Sequence, residues 1–386
     1  MTFTKEEKVE HLQNIIKIKS ENDHEEEVAK YIQALLAEHG IDSELVEYKP
    51  GRSSLVADVK GQKDGQGKML VVSGHLDVVA AGDESEWTYP PFAAEIHDGK
   101  LYGRGASDMK AGVMALVLSA IELKEAGAPF SGTLRLALTV GEEIGMYGSK
   151  QLVEEGYADG ASGFLIAEPS STDLVINAHK GSIQYEIISK GKAAHSSMPE
   201  LGVDALQLMV DYINATNKDF DAAFNAAGAE NEQLGRTINV NTVINGGTQI
   251  NSVASKIVLK ANARTVQEAG NDLVVKIIED NIAKLNAEGR GELELNMLQN
   301  NPSAESQPDN DLIKEIIAAN DKEVKVEVIM GATDASNFGR IDGDYDLAIY
   351  GPGELGISHQ VDEHVEVDEY LLAIDLYNKI IPNYLS

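Results

Sequence analysis

Residues 68–77 read Lys-Met-Leu-Val-Val-Ser-Gly-His-Leu-Asp. The apolar run at 69–72 stops at the small pair Ser73-Gly74, and His75 and Asp77 follow at once. A short apolar run closed by a turn signal fits a buried strand. Here the strand delivers an imidazole and a carboxylate to its carboxyl end. In open α/β sheets, ligands and active sites collect at that edge. The first expectation is that His75 binds a metal ion and Asp77 orients it.

Working outward, Val9, Leu12, Ile15 and Ile16 recur at helical spacing, and so do Val28, Tyr31, Ile32, Leu35 and Leu36 before Gly40. Short strands are expected at 44–47 and 54–59. Residues 78–92 hold Trp87, the only tryptophan, and Pro90-Pro91, and read as a pocket-lining loop. Residues 99–110, Gly-Lys-Leu-Tyr-Gly-Arg-Gly-Ala-Ser-Asp-Met-Lys, carry three glycines that allow a tight backbone path. Asp108 then opens a long apolar helix at 111–124. An Asp in that place ordinarily caps the helix; its company makes it a ligand candidate. A strand at 133–140 ends in Gly141-Glu142-Glu143, and one at 164–167 ends in Glu168-Pro169. Three apolar runs thus end in His or Glu at one sheet edge.

From 181 to 296 the pattern changes. Strands at 184–189, 237–244, 257–265 and 292–298 and helices at 203–212 and 273–285 follow the order β-α-β-β-α-β of a ferredoxin-like unit. The alternation of strand and helix then resumes: helix 312–318, strands 324–329 and 347–350, and a last helix at 370–381. Between the last two lies Ser358-His359-Gln360-Val361-Asp362-Glu363-His364. The expected fold is α/β. A doubly wound, mostly parallel sheet, residues 1–180 and 297–386, is interrupted by a ferredoxin-like α+β domain at 181–296.

The chain has 386 residues, 43 % of them hydrophobic, enough for a large core. Against 32 Lys and Arg stand 63 Asp and Glu, a formal charge of −31. That field repels phosphate backbones and anionic lipid, which argues against nucleic-acid and membrane partners. There is no cysteine, so disulfides and thiolate catalysis are excluded and any metal must be held by His, Asp and Glu. The first ten residues have no apolar core of a secretory signal, and no run reaches the ~20 apolar residues of a membrane span. These features are compatible with the cytoplasm.

The candidates are His75, Asp77, Asp108, Glu142, Glu143, Glu168 and His359. Two histidines and three carboxylates suit a pair of divalent ions such as zinc, each with one imidazole and one terminal carboxylate, the third carboxylate bridging. A further carboxylate must take a proton from the attacking water and return it to the leaving group. In an adjacent Glu-Glu pair one residue can ligate while the other does this. A paired-carboxylate glycosidase is the rival reading of Glu142-Glu143, but neighbours at one strand end are poorly placed to flank a sugar ring. His11, His24 and His39 read as surface residues; His97, His179 and His364 are left unassigned.

Over essentially its whole length the chain resembles the aminoacylase and carboxypeptidase superfamily of di-zinc amidohydrolases. Acetylornithine deacetylase and succinyl-diaminopimelate desuccinylase are members. The resemblance rests on residues 73–77, on Gly103-Arg104-Gly105 with Asp108-Met109-Lys110, on Gly141-Glu142-Glu143, on Glu168-Pro169 and on Ser358-His359. It implies that His75 and Glu168 bind one zinc, Glu143 and His359 the other, and that Asp108 bridges; cobalt is a possible substitute. It further implies that Asp77 hydrogen-bonds His75 and that Glu142 is the general base and then the acid. The inserted domain would be a lid through which the chain forms a homodimer, and His195 would steady the oxyanion in the partner's active site. Arg264 would bind a substrate carboxylate, with Asn251 and Thr333 near the substrate, while Arg104 and Lys110 hold a loop. Residues 81–92 and 331–335 resemble the desuccinylase branch, which implies N-succinyl-LL-2,6-diaminopimelate as substrate. Acetylornithine deacetylase, dipeptidase and aminoacylase activities are the alternatives within the family. A metal-binding carrier or receptor is the alternative outside catalysis, and the retention of Glu142 beside five ligands argues against it.

Overall fold

The computed structural model describes residues 3–63, 65 and 67–386; Met1 and Thr2 of the N-terminal stretch read above lie outside them. The chain divides into two compact units. One takes in the chain through Asn177 together with Glu305–Glu327 and Thr333–Ser386, and the other is Ala178–Ala304 with Val328–Ala332.

At the centre of the first unit run four parallel strands, in the spatial order Thr133–Thr139, Met69–His75, Gly163–Ile166 and Asp346–Ile349. Arg52–Lys60 and Ser43–Lys49 extend the sheet antiparallel past Thr133–Thr139, and Leu174–His179 pairs antiparallel with Asp346–Ile349. Side chains alternate between the two faces of a strand. Leu70, Val72, Leu136 and Leu165 join one large cluster with the helices Lys5–Lys17, Glu26–Glu38, Ala111–Glu125, Asp311–Ala319 and Val367–Tyr384. Phe164 points the other way and stacks on Phe338 of the short helix Ala335–Phe338, against which Tyr147–Glu154 packs. Helices therefore cover both faces, as a doubly wound sheet requires. Met69–His75 continues to a strand on one side, and the chain then crosses to Gly163–Ile166 on the other. This reversal of direction opens a crevice at the carboxyl ends of those two strands, where His75 and Glu168 stand.

The helix Ala111–Glu125 is buried from Ala111 through Leu123, so it reads as apolar all round rather than amphipathic. Gly112 lets it come close to the Glu168 strand: a Cβ there would sit 2.0 Å from the Ala167 carbonyl oxygen. The strand Leu174–His179 and the helices Tyr147–Glu154 and Ala335–Phe338 add to the elements the sequence pattern predicts. The two helices span eight and four residues, too short for helical periodicity to declare itself.

The second unit holds an antiparallel sheet in the order Ile238–Gly246, Lys256–Arg264, Ser182–Lys190, Glu292–Asn301. Helices Ala205–Phe224 and Asn271–Asn286 complete the β-α-β-β-α-β succession. Alternate residues Ile257, Leu259, Ala261 and Ala263 are buried and join the helices in one core. Ala205–Phe224 runs well past the expected end at 212, because Thr216, Phe220 and Phe224 keep the buried stripe going at four-residue spacing through a polar segment. Ile238–Gly246 is the edge strand, and its Ile238, Val240, Val243 and Ile244 are exposed. Among the described residues no helix is long and apolar enough to cross a membrane.

Candidate metal centre and active site

His75 is the last residue of its strand and is buried. Its Nδ1 lies 2.9 Å from the backbone carbonyl oxygen of Asp77. A carbonyl only accepts, so Nδ1 carries the hydrogen. Nε2 then faces carboxylates, 3.0 Å from Asp108 Oδ1 and 3.8 Å from Glu168 Oε1. In a neutral ring that nitrogen offers a lone pair toward two anions. A cation between them satisfies all three groups. Otherwise the ring must take a second proton. Burial opposes that proton, and the charges of Glu168, Asp108 and Asp77 override it and push the pKa well above the usual imidazole value.

Asp108 does not cap the helix. The helix begins at Ala111, and Asp108 sits before it in a wide turn at φ −116°, ψ 95°. The backbone N–H groups of Ser107 and Asp108 both donate to Glu363 Oε1 at 3.0 Å. This holds the turn open and leaves the Asp108 side chain free to face two histidines. Oδ1 meets His75, and Oδ2 lies 3.4 Å from His359 Nε2. Burial raises the Asp108 carboxyl, but the bonds from His359 and His75 outweigh it and hold the group below the ordinary carboxylate range. His359 Nε2 also lies 3.0 Å from Glu143 Oε1. Its bonds to Asp108 and Glu143 raise its pKa to about 10.

Among the described residues two donor groups result: His75, Asp108 and Glu168, and Asp108, Glu143 and His359, with donor atoms within 4.8 Å of one another in each. Asp108 belongs to both. Nitrogen and oxygen donors without sulfur suit a divalent metal cation.

The sequence pattern of peptidase family M20/M25/M40 matches residues 71–383. The chain belongs to this family. A protein of Staphylococcus epidermidis named probable succinyl-diaminopimelate desuccinylase is 40% identical over 410 residues, covering 100% of this chain and 99% of that one. Among solved structures, the aminopeptidase PepT of Bacillus cereus superposes with a TM-score of 0.77 at 21% identity, over 99% of both chains. A Bacillus subtilis protein described as a dinuclear metal binding peptidase of the M20 family superposes with a TM-score of 0.71 at 16% identity, over 98% of this chain and 99% of that one. Like the rest of the M20/M25/M40 family, the chain is a hydrolase of amide bonds.

Glu142 follows the Thr133–Thr139 strand by way of Gly141, which turns at φ +67°. The Asp77 carboxylate accepts from the backbone N–H of Glu142 at 3.1 Å and of Glu143 at 3.2 Å. It stands 3.7 Å from His75 Nδ1, so the expected bond to His75 comes from the Asp77 carbonyl and the carboxylate instead fixes the Glu-Glu turn. Burial, then the charges of Glu168 and Glu143, push the Glu142 carboxyl well above its usual value, against a lowering by His75. That direction favours a group that both takes and returns a proton near neutral pH.

The other expected site residues lie elsewhere in the chain. Thr333 is buried in the first unit, and its hydroxyl accepts from Ala335 N, shaping the turn into Ala335–Phe338. His195, Asn251 and Arg264 belong to the second unit. His195 is exposed, with Nδ1 2.7 Å from Ser197 Oγ, and the Asn251 carbonyl accepts from Ser196 N at 3.0 Å, so these two loops lie side by side. Arg264 ends its strand half-buried. Trp87, in the expected pocket loop, is buried and packs on the Arg104 guanidinium, 5.0 Å from its ring centroid.

Two buried acids beside the candidate site, Asp334 and Glu363, carry no mark in the sequence. Asp334 accepts from Thr139 Oγ1 and Ser149 Oγ and so ties the strand carrying the Glu-Glu turn to the helix that follows it. Glu363 accepts the backbone N–H groups of Ser107 and Asp108. In a chain with 63 acidic residues, no local signal separates such a brace from a solvated carboxylate.

Proposed function

We propose that this amidohydrolase cleaves N-succinyl-LL-2,6-diaminopimelate to succinate and LL-2,6-diaminopimelate with two zinc ions per chain, cobalt serving as a substitute. The observation that carries the two-ion reading is Asp108, whose two oxygens each face a different histidine. His75, Asp108 and Glu168 would hold one ion, and Asp108, Glu143 and His359 the other. When bound, such ions would polarise the scissile carbonyl and lower the pKa of the attacking water toward neutrality. Glu142 takes the proton of the attacking water on its carboxylate and returns it to the leaving amine. Asp77 positions that carboxylate through the backbone bonds to Glu142 and Glu143. His195 supports the developing oxyanion. Arg264 pairs with a substrate carboxylate through its guanidinium fork, with Asn251 and Thr333 beside the substrate.

The choice of substrate is supported by full-length likeness to the Staphylococcus epidermidis protein. We read residues 1–180 and 297–386 as the catalytic domain and 181–296 as the lid. We read the exposed apolar edge strand Ile238–Gly246 as part of a homodimer contact, in a cytoplasmic enzyme. The test is hydrolysis by metal-loaded protein across N-succinyl-LL-2,6-diaminopimelate, N-acetylornithine and dipeptides, with Glu142→Gln as control. Highest kcat/KM on the succinylated substrate is expected. Preference for N-acetylornithine or a dipeptide overturns the substrate, and full turnover by Glu142→Gln overturns the base.

A further inference from the structure

Asp108 and His359 both face the second candidate ion, yet they stand on loops 251 residues apart in sequence. The structure joins those loops through one buried ion pair. Arg104 Nη1 lies 2.6 Å from Glu363 Oε2, and both side chains are almost fully buried. Each partner then holds the backbone of the other partner's loop. Glu363 Oε1 accepts from Ser107 N and Asp108 N, both at 3.0 Å. The Arg104 guanidinium donates to the carbonyl oxygens of Gln360 at 3.1 Å and His359 at 3.4 Å. The Glu363 carbonyl also accepts from Gly103 N at 2.9 Å, where the strands Lys100–Tyr102 and His364–Glu366 begin to pair. His359 needs such a hold, since its backbone lies at φ +65°, a region a histidine seldom occupies, and its side chain is half exposed.

We propose that Arg104 and Glu363 are positioning residues that set the distance between Asp108 and His359, and so govern occupancy of the ion held by Asp108, Glu143 and His359. The proposal rests on the two-ion reading above. It assigns these two residues a task beyond stability. The ion pair is reciprocal, with a carboxylate on the arginine's side of the loop contact and a guanidinium on the glutamate's. The guanidinium spreads its donors over two nitrogens, Nη1 toward Glu363 and the Gln360 carbonyl and Nη2 toward the His359 carbonyl, a fixed span that the single nitrogen of a lysine does not reproduce.

The test is stepwise titration of metal-free protein with Co²⁺, read by calorimetry and by visible absorption of the bound ion. Wild type is expected to take up two ions per chain. Glu363→Gln keeps the shape and an oxygen for the two N–H groups but turns an amide NH₂ toward Arg104. Arg104→Lys keeps the charge beside Glu363 but gives up the fork. In both, one ion is expected to bind as in wild type and the other about 10–100-fold more weakly. The lost absorption should match that lost in His359→Ala. A purely structural role would lower the melting temperature and leave both stepwise affinities in place. If both dissociation constants in the folded variants stay within about threefold of wild type, the proposal is overturned. Should Glu363→Gln fail to fold, Arg104→Lys decides alone. Uptake of fewer than two ions by wild type overturns the two-ion reading, and this inference with it, before any variant is compared.

Discussion

Asp77→Asn separates the placing of Glu142, the proposed base, from the proposed holding of metal. The Asp77 carboxylate spends both oxygens on the backbone of the Glu-Glu turn, one on Glu142 N and one on Glu143 N. A hydrogen bond to a charged acceptor contributes about 1.5–3 kcal/mol. Asparagine keeps one neutral oxygen and sets an NH₂ against the other N–H, so one charged bond goes and the second weakens, a loss of about 2–4 kcal/mol. If that loss falls on the placement of Glu142, kcat drops about 30- to 1,000-fold, since each 1.36 kcal/mol is tenfold in rate. The contact that orients His75 survives, because it is made by the Asp77 carbonyl and not by the carboxylate. Metal content should therefore stay at the wild-type level and KM should change little. The measurements are steady-state kinetics and elemental analysis of metal on the same preparation. A variant with full metal and kcat within about fivefold of wild type would show that the two bonds do not place Glu142. A variant that loses metal first would return Asp77 to the imidazole.

Lys8 and Glu122 form a buried pair at 3.0 Å between the first helix and Ala111–Glu125, and Asn378 donates to the same carboxylate at 2.7 Å. Lys8→Met strands that acid and should cost about 3–5 kcal/mol in urea unfolding, most of it recovered in Lys8→Met/Glu122→Leu. His179 is buried, and burial depresses its pKa to about 4 from the ordinary imidazole value near 6.5. The unfolded chain therefore takes the proton first, and stability should fall as pH drops from about 6.5 to about 4, by roughly 3 kcal/mol, and level off below. His179→Phe should flatten that part of the pH profile; an unchanged slope would remove His179 as its source. Val240 and Ile244 are half exposed on the edge strand Ile238–Gly246. Val240→Asp with Ile244→Asp should give monomers in sedimentation velocity, and dimers of unchanged affinity would move the contact elsewhere.

The fold was legible where one physical signal dominated. Residues 69–75 could be buried on both faces only in the middle of a sheet, and the glutamates after 139 and 166 repeated the same strand ending. The ferredoxin-like order could be read because alternation at 257–263 and helical spacing at 273–285 are clean. The helix at 205 outran its expected end because its later turns bury Thr216 amid asparagine and aspartate. A short helix such as Tyr147–Glu154 is held by tertiary packing, and an eight-residue window carries too little periodic signal to announce it.

Within the candidate site, legibility followed the direction of the side chain. His75, Asp108, Glu143, Glu168 and His359 present their side-chain atoms to one another, so their residue types declare donor chemistry. Asp77 and Glu363 turn their carboxylates to backbone N–H groups, which every non-proline residue carries, so no sequence pattern marks the partner. Yet these two acids play matching parts. Each accepts two consecutive N–H groups, Glu142 and Glu143 in one case and Ser107 and Asp108 in the other. Each thereby fixes a turn whose next task is to aim a carboxylate. A turn on a loop would otherwise sample several directions, and a displacement of 1 Å is enough to weaken a ligand set or misplace a base. The charge on each brace makes its bonds to the turn stronger than a neutral acceptor could. The same charge must be compensated when buried, which Arg104 does for Glu363. Compensation at Asp77 is only partial: burial raises its pKa to about 6, and the nearest opposing charge is His75. An acid held at such cost where two donor groups meet is better accounted for by the geometry it imposes than by the stability it adds.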